Sequence, residues 1–341
     1  MTVSLQFVVP TSELHGGIRV PLELASWLAD CGWLSRVVGP GPPPDWHETT
    51  APWITVDLEA KNAVPRADIT IATFHTTVGP ALASGSPHVF HLCQGYEGLF
   101  REYDDIRDLI DAAYRAPIPK LLVSRHLESV LAEHYPGTQC HFIGEAVDPR
   151  IFSPLGFRET ATPLRVGLVG TLSARVKGIR EGLEGLRLIR DRGLEIEVHR
   201  ASAEEMQGEE AGLGVTDHFH HLLPTTEMPE FYAGIDVLLF PSTNQEGFGL
   251  PVLEAMSSGV PVAHSDIPSL EVIPDGASLR FAPGNPEAVA DAVSQLADVE
   301  LRRSLRAEAL LAIEDFRPQK VLSRLEDALA REGCPLPSRI E

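Results

Sequence analysis

Two carboxylates, Glu246 and Glu254, bracket a glycine-rich stretch in the segment Gln245–Pro261, QEGFGLPVLEAMSSGVP. Carboxylates repel phosphate but accept hydrogen bonds from hydroxyls, so an acid at each end with N–H donors between them suits a ligand with hydroxyls at both ends and phosphate in the middle. A helical rise of about 1.5 Å per residue plus an extended loop sets the two acids on the order of 10 Å apart, roughly the reach of a sugar, a diphosphate and a ribose in line. The commoner use of an early helical Glu is to complement the helix dipole, and spacing alone does not choose between the two.

The flanking residues predict the element that aims these groups. Val237–Phe240 is an apolar run followed by Pro241 and Ser242, which reads as a buried parallel strand. A helix is predicted from Leu250 to Ser258, with Pro251 in its first turn and Gly259 as its stop, and Val260–Ala263 is the next strand. A strand, glycine loop and helix in this order point the free N–H groups and the positive end of the helix dipole at the carboxyl edge of a sheet. Gly247 and Gly249 let the backbone approach a ligand closely.

The string EGFGLPVLEAMSSGVPV resembles the signature of the retaining family-4 glycosyltransferases with the GT-B fold. The resemblance implies that Glu246 binds the donor sugar, that the amides of Gly247, Phe248, Gly249, Leu250 and Pro251 approach sugar and phosphate, and that Glu254 binds the ribose. It further implies a nucleoside diphosphate sugar as co-substrate, with neither cofactor nor metal. No Asp-x-Asp pair occurs for a metal-diphosphate clamp. The fold expected is α/β, two doubly wound Rossmann-like domains facing across a cleft: residues 1–155 on the acceptor side, 163–313 for the nucleotide sugar, and 314–341 as a helix crossing back to the first domain.

Other segments follow the family order. Leu5–Val9 is a strand, and His15-Gly16-Gly17-Ile18-Arg19 lies at its turn into a helix, similar to the glycine pair the family sets against donor phosphates or acceptor. Ile69–Thr73 is a strand with His75 in its exit loop, where the family also has a His that can bond a sugar hydroxyl. Gln94, Tyr96 and Glu97 leave another strand and make an acceptor-side rim, while strand alternation argues against a metal at His88 and His91. Arg101 to Tyr114 reads as one exposed charged helix, and Ser153–Pro163 as the linker.

In the second half, Leu164–Gly170 delivers a loop with Arg175, Lys177 and Gly178. Cations there would stabilise charge building on a departing diphosphate. The family writes Arg at the position of Thr171, so Arg175 substitutes from a different backbone position. Pro268-Ser269 stands where the family carries two glycines. Base recognition falls by resemblance to backbone groups around Leu222 and Leu223. Ala203–Gly214 reads as a mobile surface segment, and a zinc site at His218, His220 and His221 is set aside for want of a carboxylate or cysteine at ligand spacing.

The chain has 341 residues and a net charge of −20, which suits two domains and argues against nucleic acid or an anionic membrane as main partner. Four scattered cysteines, no leader and no long apolar run predict a reduced, cytoplasmic protein with no transmembrane segment. The activity expected is transfer of a hexosyl or deoxyhexosyl group to an unknown hydroxyl acceptor (glycan, lipid-linked or small molecule), with retention. A nucleotide-sugar-binding protein without catalysis, a phosphorylase and an epimerase are the alternatives.

Overall fold

The computed structural model describes residues 2–14, 16–159 and 162–337. The chain forms two compact units: the first runs to Glu145 and takes in the segment from Pro318, and the second is Ala146–Arg317.

Unit 1 contains, in chain order, β1 (Ser4–Val8), α1 (Gly16–Asp30), β2 (Leu34–Gly39), β3 (Trp53–Thr55), β4 (Ile69–Ala72), α2 (His75–Ala83), β5 (His88–Cys93), α3 (Arg107–Arg115), β6 (Lys120–Leu122), α4 (His126–His134) and β7 (Cys140–Phe142). Its seven strands lie in the order β3-β2-β1-β4-β5-β6-β7, every pairing parallel. Helices on both faces explain why β4 is buried along its whole length, its one polar residue, Thr70, being hydrogen-bonded to Gln6 Nε2 at 2.9 Å. Residues 101–106 form a 3₁₀ turn ahead of α3, so the single helix expected from Arg101 is two pieces.

Unit 2 contains β8 (Leu164–Val169), α5 (Ile179–Asp191), β9 (Ile196–Ser202), α6 (Gly208–Leu213), β10 (His218–His221), α7 (Met228–Ala233), β11 (Val237–Phe240), α8 (Leu250–Ser257), β12 (Val262–Ser265), β13 (Leu279–Phe281), α9 (Pro286–Gln295) and α10 (Val299–Ala312). The six strands run β10-β9-β8-β11-β12-β13, again all parallel. On the strands Val166, Leu168, Val198, Val237 and Leu239 meet Leu183, Leu186, Val289 and Val293 from α5 and α9 in one core. Truncating such a residue to Ala costs on the order of 2–5 kcal/mol.

The last helix, α11 (Pro318–Arg331), belongs with unit 1. Its Glu326 accepts from Trp33 Nε1, its Arg324 Nε donates to Ile143 O at 2.7 Å, and Glu332 just beyond it meets His141 at 2.6 Å. The compact units divide at Glu145, ahead of the 153–163 segment. Residues 146–155 pack with unit 2 because Phe152 is fully buried and its carbonyl accepts from Ser257 Oγ, while Leu155 N donates to Ser258 O.

Candidate functional site

In both sheets the strand order reverses beside the first strand, between β1 and β4 and again between β8 and β11. Ligands of open α/β sheets bind outside the carboxyl ends of the strands at such switch points. In unit 2 the loops at that position are 170–178 after β8, with Arg175 and Lys177, and 241–249 after β11, with Glu246, Gly247, Phe248 and Gly249.

Two backbone contacts fix these loops to each other. Thr243 N donates to Val176 O at 2.8 Å, and Gly178, with φ +59°, lies so close to Pro241 that an added Cβ would sit 2.0 Å from its carbonyl oxygen. Only glycine fits there. The result is that Lys177 Nζ lies 2.9 Å from Oε2 and 3.1 Å from Oε1 of Glu246, while Ser242 Oγ donates to the same carboxylate at 2.9 Å. Glu246 is 8% exposed, so this charge is largely removed from water and is matched by one ammonium and one hydroxyl. Arg175 starts the short 3₁₀ turn that contains Lys177; it is exposed and makes no ion pair among the described residues.

The α8 helix begins after Gly249, whose φ of +114° is open to glycine and strained for other residues. A Cβ there would stand 3.1 Å from the Phe240 ring and 3.2 Å from Leu270. The 3₁₀ turn Pro268–Leu270 thus packs against the glycine loop through Leu270. Leu250 and Pro251 open the helix, where the leading N–H groups have no intrahelical partner. The Phe248 side chain turns inward, 3% exposed and 6.1 Å from the Phe316 ring, so only its backbone serves a ligand; Gly247 is half-buried. Glu254 is 2% exposed and accepts from Tyr232 Oη at 2.7 Å. Leu223 follows β10, next to Leu222 at φ +54°, whose N–H donates to Ser202 O at 2.9 Å.

Sequence reading missed the support beneath this loop. Arg200, fully buried on β9, pairs with Glu210 at 2.8 Å and donates to Leu168 O and Gly170 O at 3.1 and 3.0 Å, tying down the end of β8 where the Lys177 loop begins. Its signal was available: Arg200 shares strand parity with the core residues Ile196 and Val198. Glu210 lies on α6, so Ala203–Gly214 contains a helix anchored by a buried ion pair, which corrects the mobile segment expected there.

In unit 1, Gly16 and Gly17 open α1 after β1, and His75 is the first residue of α2 after β4. His15 lies outside the described residues. Open space surrounds Gly16, where a Cβ would meet nothing within 4 Å, and Gly17 O accepts from Gln94 Nε2 at 2.8 Å. His75 was expected in a loop; Thr77 Oγ1 instead accepts from Thr73 N and Phe74 N, and the helix starts at His75 itself. The imidazole is buried, its Nδ1 3.4 Å from Glu97 Oε1. Glu97 also accepts from Tyr114 Oη. Burial works to raise the Glu97 pKa, but His75, His91 and Tyr114 outweigh it and hold the carboxyl below its ordinary value. Glu97 and Tyr96 are therefore buried beneath the surface, and the rim expected of them is replaced by a carboxylate behind His75.

The histidines of β10 also need correction. A carboxylate is near them after all: Glu197 on β9 lies 3.0 Å from His218 Nε2 and 2.8 Å from His199 Nε2. Segment spacing missed it because the acid comes from the neighbouring strand.

Two doubly wound parallel sheets with these crossovers define a GT-B architecture. Sucrose-phosphate synthase of Thermosynechococcus elongatus superposes with a TM-score of 0.77 at 16% identity over 97% of this chain and 99% of its own. HepE of Anabaena, solved with UDP and glucose, gives 0.75 at 12% identity over 96% and 99%.

Residues 163–298 match the family described as Glycosyl transferases group 1. Among curated relatives, O-antigen chain mannosyltransferase B of Escherichia coli is 37% identical over 95 residues, 28% of this chain and 25% of its own length. MMP alpha-(1->4)-mannosyltransferase of Mycolicibacterium hassiacum is 30% identical over 207 residues, 57% of this chain and 49% of its own length. The alignments thus span about half or less of the curated relatives. No helix among the described residues is long and apolar enough to cross a membrane.

Proposed function

We propose that the protein is a retaining glycosyltransferase that moves a hexosyl or deoxyhexosyl group from a nucleoside diphosphate sugar to a hydroxyl acceptor. The single observation behind this reading is the Lys177–Glu246 pair beside the amino end of α8, at the switch point of the unit 2 sheet. The diphosphate takes the amides from Gly249 onward and competes with Glu246 for the Lys177 ammonium. Glu246 turns to sugar hydroxyls, and Glu254 to the ribose. Relatives named as mannosyl- and glucosyltransferases, and a fold neighbour solved with UDP-glucose, support a hexose donor.

In the step itself the bond from the anomeric carbon to the β-phosphate oxygen breaks and a bond to the acceptor oxygen forms on the same face. The departing phosphate takes the acceptor proton, so the products are a glycoside and a nucleoside diphosphate. Charge on the leaving group falls to Lys177, with Arg175 as an outer cation, and to the backbone amides. His75, oriented by Glu97, serves a sugar hydroxyl, and Gly16 and Gly17 allow close backbone approach. Transfer needs no divalent ion at the diphosphate and no cofactor.

The test begins with a thermal-shift screen of UDP, GDP, ADP and dTDP, because a tight ligand raises the melting temperature by mass action. The matching donor is then incubated with an acceptor pool, with Glu246→Ala as comparison. Near-normal turnover by that variant removes the assignment, and binding without turnover in any acceptor pool leaves a nucleotide-sugar-binding protein.

A further inference from the structure

The amino halves of β9 and β10 carry a cluster that the transfer chemistry does not use. Glu197 and His199 alternate onto one face of β9, and His218, the register partner of His199, projects from the same face of the edge strand β10. Both Nε2 atoms converge on one oxygen, Glu197 Oε1, at 2.8 and 3.0 Å. The His199 and His218 rings stack at 4.5 Å, and His220 stacks on His199 at 6.0 Å. The residues near the switch point come from the opposite, carboxyl ends of the strands.

From this arrangement we infer a binding site for a divalent transition metal of the zinc class, with Glu197 Oε1, His199 Nε2 and His218 Nε2 as ligands. Two imidazoles and a carboxylate are a borderline donor set that such ions prefer, and all three ligand atoms lie within 4.8 Å of one another. A tetrahedral ion with bonds of about 2.0–2.1 Å separates its ligands by about 3.3 Å. The two imidazole-to-carboxylate separations therefore need to open by only a few tenths of an ångström, which half-buried and exposed side chains can do.

The local charge allows it. Arg165, the register partner of Glu197 on β8, is turned to Asp236 together with Arg158, leaving the Glu197 carboxylate to the histidines. His220 stands next in the stack, and its Nε2 is buried with no hydrogen-bond partner among the described residues. His218 is half-exposed, so water completes the coordination. The ion ties the sheet's edge strand to its neighbour, and its role is structural, because three ligands from two strands join elements whose backbone contact is one short ladder.

The experiment uses untagged protein freed of metal by a chelator and titrated with Co²⁺ and Zn²⁺. Co²⁺ is expected to bind with one equivalent and the strong visible bands of a four- or five-coordinate ion. Zn²⁺ should displace it and raise Tm. His218→Ala, which removes a surface side chain, and Glu197→Gln should each weaken binding by roughly tenfold or more, since loss of even an outer-shell partner costs that much. Circular dichroism checks that both variants fold. Absence of saturable binding, weak octahedral-type bands, or parental affinity retained in both variants overturns the site, the last because it assigns the ion to others of the 13 histidines.

Discussion

Lys177 Nζ and the carboxylate of Glu246 meet at 2.9 and 3.1 Å although 69 residues separate them in the chain. Each was singled out for a different half of the substrate, Lys177 for phosphate and Glu246 for sugar, yet they hold one another. The pair keeps a largely buried carboxylate neutralised and holds the ammonium beside the loop that leads into α8, so a diphosphate meets a cation already in position.

Removing the ammonium tests this directly. Lys177→Ala should lower kcat by about 10²–10³-fold, the order seen when one preorganised donor to developing charge is lost. Nucleoside diphosphate affinity should fall by less. Steady-state kinetics alongside calorimetric titration separates the two, and equal losses in both would mean that Lys177 only binds.

The loop glycines give a graded series. Gly178→Ala forces a Cβ to within 2.0 Å of the Pro241 carbonyl oxygen, so it should separate the two loops and abolish both affinity and turnover. Gly249→Ala meets an unfavourable φ and two contacts just over 3 Å, for a cost on the order of 1–3 kcal/mol. Gly16→Ala is the control, because open space surrounds that position. Its Tm should hold, and lost activity at unchanged Tm would assign Gly16 to ligand contact. Unaltered Tm in Gly178→Ala would contradict the loop geometry.

In unit 1, Glu97→Gln keeps the shape of the side chain but removes the charge 3.4 Å from His75 Nδ1. Turnover should fall with that variant and with His75→Ala, while Glu97→Gln leaves donor affinity in place. Glu97→Ala also removes one of the two acceptors of the buried Tyr114 hydroxyl, leaving Gly95 O at 3.0 Å, and should cost about 1 kcal/mol of stability by denaturant unfolding. Full activity in Glu97→Gln would reduce Glu97 to a packing role.

What could be read in the sequence follows a physical division. Parallel strands buried on both faces write themselves as mostly apolar stretches, unbroken in β11 and interrupted by Thr70 in β4 and Arg165 in β8, so these strands were legible, and the glycine loop before α8 was legible because its backbone demands particular residues. Pairings between distant segments were not. Glu197 beside His218, Glu97 behind His75 and Arg200 beneath the Lys177 loop all depend on strand order, which no local spacing reports. Helix starts also moved where a side chain decided them, as Thr77 did for His75. A charged residue at a core-parity position, such as Arg200, is the one local sign of such a pairing.

Glu145, 4% exposed at the end of unit 1, carries a pH dependence of its own. Burial first, then the nearby Glu23 charge, push its pKa up to about 8 against the opposing effect of Arg19. Between the ordinary carboxyl value and about 8 the folded protein holds a proton that the unfolded chain has lost. The folded state thus binds more protons across that window, and stability must fall as pH rises through it, by about 1.4 kcal/mol per unit at most for one group. Below about pH 4.5 both states are protonated and the penalty vanishes. Glu145→Gln stays neutral throughout, so its Tm should match that of the parent near pH 4 and exceed it at pH 8.5. A difference of the same size at both pH values would show that Glu145 keeps an ordinary carboxyl in the folded chain.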